Sequence, residues 1–161
     1  MADNKRVEFV TLESARWRLA RIWFGFGAIV LLVLIGQSIG NVYGEDMMRV
    51  WGWALPNFVP QLALMASVFA ADALKPVGRG IPRVRANFLA LSTYASLFYL
   101  LVFFFTVVSP PLVLVLRGLP EERPIDLLEL SNLWLTPTQG IVIGLLGVLF
   151  FLKDEDPSHP Q

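Results

Sequence analysis

The sequence predicts an all-α integral membrane protein, with four transmembrane helices in a bundle and both termini cytoplasmic. Three observations predict it. Of the 161 residues, 55% are hydrophobic and only 16% are charged, with a mean hydropathy of +0.60. A soluble domain of this size buries only about two-thirds of its surface, too little to hide that much apolar area. The chain also holds four apolar runs, each near the roughly 20 residues that cross a hydrocarbon core about 30 Å thick. Lastly, Lys and Arg cluster on one side of these runs, the signature of membrane orientation.

The first helix is expected over about residues 12–41. The stretch "TLESARWRLARIW" reads as a helical lead into "IWFGFGAIVLLVLIGQSIG", with Thr11 as N-cap. Ser38 and Gly40 resemble a signal-peptide cleavage site. The long region ahead of the apolar run, and the length of that run, favour a retained helix instead.

The second helix is expected over about 53–73, with Trp51 and Trp53 where it enters from outside, because indoles favour the interface. Trp17 and Trp23 bracket the cytoplasmic entry of the first helix, and Trp134 marks the outer level of the fourth. Pro56 fits a first turn, where a missing N–H costs nothing, while Pro60 predicts a bend. Two prolines and two glycines in "LKPVGRGIPRVRA" predict a turn before the third helix.

That third helix covers about 87–108. Pro110 and Pro111 remove two successive donors, so a kink or an end is expected there. The following "LVLVL" either carries the helix to about residue 116 or lies against the headgroups. A short interfacial helix then runs from about 125 to 133, with Pro124 at its start and Asp126 and Glu129 facing water. The fourth membrane helix spans about 133–152 and stops at "KDED". Residues 1–152 read as one domain, and 153–161 as a disordered acidic tail.

Orientation follows from charge. Lys5, Arg6, Arg16, Arg18, Arg21, Lys75, Arg79, Arg83, Arg85 and Lys153 fall on one side, against Arg49, Arg117 and Arg123 on the other. Ten against three assigns the termini to the cytoplasm and the chain to a plasma (inner) membrane.

The chemistry is sparse. No cysteine is present, and the only histidine is His159, the third residue from the end of "DEDPSHPQ". That argues against disulfides, thiolate nucleophiles and haem ligation in the helices. No HExxH, nucleophile elbow, metal-ligand cluster or paired intramembrane carboxylate occurs. No catalytic residue, cofactor or metal is therefore predicted. The balance of 13 basic and 13 acidic residues suggests no nucleic-acid partner.

What remains is a set of polar residues within apolar helices. Asn57, Gln61 and Asp72 share a face of the second helix, and Ser92, Ser96, Tyr99 and Thr106 a face of the third. Gln37, Gln61 and Gln139 all fall in the outer third of the membrane, where an amide facing lipid is costly. Interhelical hydrogen bonding is the plainer role for this layer, and a pore lining the sharper one. Asp72, at the cytoplasmic end, reads as a solvated or salt-bridged residue. Small residues that permit close packing are Gly36 and Gly40, Ala63 and Ser67, and Gly140, Gly144 and Gly147. Arg16, Arg18, Arg21, Arg79, Arg83 and Arg85 form a basic cytoplasmic rim. The expectation is a non-catalytic scaffold or anchor in the lipid bilayer that assembles with itself or with another membrane subunit. The alternative is an oligomeric pore lined by the polar stripes of helices two and three.

Overall fold

The computed structural model describes residues 8–74, 83–117 and 124–151. Within them the chain is almost wholly helical: α1 (Leu12–Ile39), α2 (Met47–Ala73), α3 (Ala86–Arg117), α4 (Pro124–Leu130) and α5 (Asn132–Phe151). Two three-residue strands, β1 (Phe9–Thr11) and β2 (Arg83–Arg85), complete it. Four helices are long and apolar enough to cross a membrane, as expected. At 1.5 Å per residue, the 28 residues of α1 extend about 42 Å and the 20 of α5 about 30 Å. The longer helices therefore exceed the roughly 30 Å of a hydrocarbon core. The expected tail over 153–161, and Arg79, lie outside the described residues.

Local chemistry sets the helix ends. The Thr11 hydroxyl accepts the Ser14 N–H at 3.4 Å, so the expected N-cap of α1 is present. At the other end the Gly40 amide donates to the Gly36 carbonyl at 2.9 Å. Asn41 then takes a left-handed φ of 51°, a conformation that asparagine tolerates better than most residues. A single turn of 3-10 helix, Gly44–Asp46, leads into α2.

Two sequence-based expectations are corrected here. First, α2 starts at Met47, six residues before residue 53. Arg49 breaks the apolar pattern, but its guanidinium leaves the helix to meet Asp46 at 3.1 Å and Glu129 of α4 at 2.6 Å. The helix can therefore begin earlier without burying a charge, and Pro56 lies well inside it rather than in its first turn. Second, Trp23 and Trp53 are not interfacial anchors. Both are buried, Trp23 stacked on Tyr99 (5.9 Å between centroids) and Trp53 on Phe103 (5.4 Å). Trp17 and Trp134 stay exposed. Of the two courses left open after Pro110 and Pro111, the helical one holds, since α3 runs through both prolines to Arg117.

The strands were not anticipated. β1 pairs antiparallel with β2, matching Phe9 with Arg85, Val10 with Val84 and Thr11 with Arg83. The Ala86 amide adds a bond to the Glu8 carbonyl at 2.9 Å. This pairing fastens the start of α1 to the start of α3. Val84 turns inward, while Phe9, Arg83 and Arg85 stay exposed.

α3 lies against α1 and α5, and α2 against the same two helices. Contacts fix the direction of each. At one end Arg16 of α1 meets Asp72 at the close of α2 and the last carbonyls of α5. At the other, Gln37 of α1 reaches Val107 of α3, and Trp51 of α2 donates to Ser38 of α1 at 3.1 Å. Successive long helices thus run in alternate directions. Aromatic rings fill the middle, with Tyr99 stacked 6.3 Å from Phe103 and Phe58 packed 5.8 Å from the same ring. α4 is shorter than expected, ending at Leu130. It buries Ile125 and Leu128 and turns Asp126 and Glu129 outward.

Candidate functional site

A proline inside a helix frees the carbonyl four residues earlier, and in lipid an unpaired carbonyl is costly. The chain has five such prolines. For three of them a side chain replaces the missing donor. Pro60 frees the Pro56 carbonyl, which accepts from Gln139 Nε2 of α5 at 3.0 Å. Pro110 frees the Thr106 carbonyl, which accepts from Ser109 Oγ at 3.1 Å. Pro111 frees the Val107 carbonyl, which accepts from Gln37 Nε2 of α1 at 3.1 Å. Two of the three glutamines, Gln37 and Gln139, thus join helices at proline sites.

The Pro60 site gathers more polar groups. The Asn57 carbonyl accepts Tyr99 Oη of α3 at 2.6 Å and, at 3.3 Å, the same Gln139 nitrogen. Asn57 donates its own amide back to the Trp53 carbonyl at 2.8 Å. Helices α2, α3 and α5 therefore meet at a single turn of backbone. Gln61, one turn on and only 1% exposed, has neither amide atom hydrogen-bonded. Trp23 Nε1 and Ser96 Oγ, buried beside the same junction, also lack partners. The remaining hydroxyls of the α3 stripe bond within their own helix, Ser92 to the Phe88 carbonyl at 2.9 Å and Thr106 to Val102 at 2.8 Å. Outside the helices, Tyr43 is buried with its hydroxyl unpartnered, and burial pushes its phenol up to about 12.

Of the predicted layer, Asn57, Gln61, Ser92, Ser96 and Tyr99 are all buried within one chain, and Gln37 joins them. Thr106 and Gln139 are half-buried. Asp72 stands apart, at the opposite end from Gln37.

There Arg16 leaves the predicted rim. It is buried, with Nη1 donating to Asp72 Oδ2 at 2.8 Å, Nε to the Leu149 carbonyl at 3.1 Å and Nη2 to the Phe150 carbonyl at 2.9 Å. Its guanidinium also lies 5.9 Å from the centre of the Phe150 ring. A cation at the negative end of the α5 dipole is well placed electrostatically. Arg18, Arg21, Arg83 and Arg85 remain exposed.

Most of the small residues singled out for close packing face away from the described part of the chain. A Cβ placed on Gly36, Gly140, Gly144 or Gly147 would meet no neighbouring atom within 4 Å, and Ala63 and Ser67 are exposed. Gly40 serves as the C-cap of α1. Gly27, which sequence reasoning passed over, is the glycine in real contact: its Cβ would lie 3.3 Å from Leu62 Cδ1. The signal was there, since Trp23, Gly27, Val30, Leu34 and Gln37 repeat at helical spacing on one buried stripe.

Among the described residues no three His, Cys, Asp or Glu side chains group to hold a metal ion. Compared with protein-family models, curated proteins and solved structures, the chain matches none.

Proposed function

We propose that this chain is a non-catalytic membrane scaffold, a four-helix bundle that assembles with copies of itself or with another membrane subunit. The observation that carries the reading is the open glycine face of α5. Gly140, Gly144 and Gly147 share one side of the helix, and a Cβ added at any of them would meet no atom of the described residues within 4 Å. The membrane window of α5 is only 28% buried, the least of the four. Small residues in lipid-exposed helices allow another backbone to approach closely, which is how membrane helices associate where water offers no hydrophobic drive. Exposed Ile141, Ile143 and Val148 flank the face and would supply its packing surface. The pore reading has less support, because most of the residues meant to line it, Asn57, Gln61, Ser92, Ser96 and Tyr99, are buried inside a single chain.

Gly144→Leu separates assembly from folding. The expected result is an intact, helical protein whose mass in mild detergent drops to that of a single chain. Gly27→Leu should instead unfold it, because Leu62 and Phe58 stand against that site. A wild type that is strictly monomeric with no co-purifying subunit would overturn the reading.

The orientation belongs to the same proposal: both termini and the 75–82 connection cytoplasmic, and the 120–129 segment external, in a plasma (inner) membrane. The ten-to-three charge asymmetry supports it. With no native cysteine, single cysteines report directly. An impermeant thiol reagent added to intact cells should label position 122 and leave position 80 untouched, and the reverse pattern would invert the topology.

A further inference from the structure

A groove of about 320 Å³ lies where β1, α1 and the first turns of α3 meet, on the opposite side of the molecule's lengthwise course from the glutamine layer. Its two charged lining residues are Glu8, just before β1, and Arg18, in the second turn of α1. Both are exposed, and among the described residues neither side chain has a hydrogen bond or an ion pair, with the other or with anything else. Along α3 the wall is formed mainly by the apolar Ala86, Leu89, Ala90 and Leu97, with Thr93 and Tyr94 among them. From Ala86 to Leu97 this wall descends about 16 Å along the helix. Leu97 and Tyr94 are exposed on the outer surface, so the groove is continuous with the face that lipid covers.

We infer that this groove binds the headgroup of an aminophospholipid, a lipid carrying a phosphodiester and a primary ammonium. A carboxylate and a guanidinium that share a groove without pairing offer one site for each charge of a zwitterion. Arg18 takes the phosphate, because a planar guanidinium presents paired N–H donors to phosphate oxygens. Glu8 takes the ammonium, which can donate three hydrogen bonds. Tyr94, exposed in the groove wall, is the kind of side chain that settles at a membrane interface beside the headgroup. The apolar wall of α3 carries the start of an acyl chain, whose remainder stays in the bilayer. A purely anionic headgroup would set its phosphate on Arg18 but leave Glu8 facing negative charge. A choline headgroup would offer Glu8 no N–H donor.

Lipid binding to the delipidated full chain, read by native mass spectrometry, tests this with phosphatidylethanolamine, phosphatidylcholine and phosphatidylglycerol of matched acyl chains. The expected order places phosphatidylethanolamine first, by about fivefold, the effect of one charge near a membrane surface. Glu8→Gln should remove that preference while leaving phosphatidylglycerol binding intact or stronger. Arg18→Ala should weaken all three by about fivefold. Both residues are exposed and without partners, so circular dichroism should show an unchanged helical fold. Equal binding of the three lipids, a preference for phosphatidylglycerol, or indifference to both substitutions would overturn the assignment. Oligomeric mass in the same spectra reports the α5 proposal separately, so either can fail without the other.

Discussion

Arg16→Ala is expected to destabilise the protein by about 3–5 kcal/mol, the usual cost of breaking a buried ion pair from one side. Removing the guanidinium takes away the donor to Asp72 and to the Leu149 and Phe150 carbonyls together. Those carbonyls end α5, where helix geometry leaves the last C=O groups without intrahelical partners. Hydrogen bonds from charged donors contribute about 1.5–3 kcal/mol each, more than neutral ones. Arg16→Lys should recover only part of the loss, since a single ammonium cannot reach three acceptors set around a planar fork. Asp72→Asn should cost less than Arg16→Ala, because Asp72 is 31% exposed at its side chain and water can replace part of what it loses. Unfolding by rising dodecyl sulfate in mixed micelles provides the scale. An Arg16→Ala variant within about 1 kcal/mol of wild type would mean the clasp does not hold α1, α2 and α5 together.

The second expected result concerns the prolines. Gln37→Leu and Gln139→Leu should each cost about 1–2 kcal/mol, the upper range for hydrogen bonds between membrane helices. The reason they exceed the average is that each acceptor has lost its own helical donor to a proline. The diagnostic comparison is the double-mutant cycle. In a Pro60→Ala background the residue-60 amide returns to the Pro56 carbonyl, so Gln139→Leu should become nearly neutral. Pro111→Ala should do the same for Gln37→Leu through the Val107 carbonyl. Crossed pairs, Pro60→Ala with Gln37→Leu for example, should show no such rescue. Equal costs in both backgrounds would show that the glutamines bind for some other reason.

These pairings mark the limit of what could be read along the chain. The loss of an N–H at Pro110 and Pro111 was legible, and it predicted a kink or an end while leaving the course of the next residues open. Whether the helix breaks depends on a replacement donor, and for Pro111 that donor is Gln37, on another helix. Tryptophan presented the same difficulty. An indole near the end of an apolar run suits the interface and suits the interior equally well. Only the ring neighbours decide, and Tyr99 and Phe103 placed Trp23 and Trp53 inside. The strands escaped notice because three residues are too few for a period of two to stand out. Arg16 was counted with the other basic residues because charge along the sequence carries no direction, and its acceptors are 56 and more than 130 residues away.

The four apolar runs, the N-cap at Thr11, the approximate extents of α1 and α5 and the salt-bridged end of α2 were all determined by the sequence itself. Each rests on local physics: hydropathy summed over a window, a hydroxyl three residues from an amide, a charge at a helix end. Tertiary structure alone decided which glycine packs, which arginine is buried, and how a proline's carbonyl is satisfied. Those outcomes depend on which helix faces come together, and residues brought into contact from different helices have no fixed spacing along the chain.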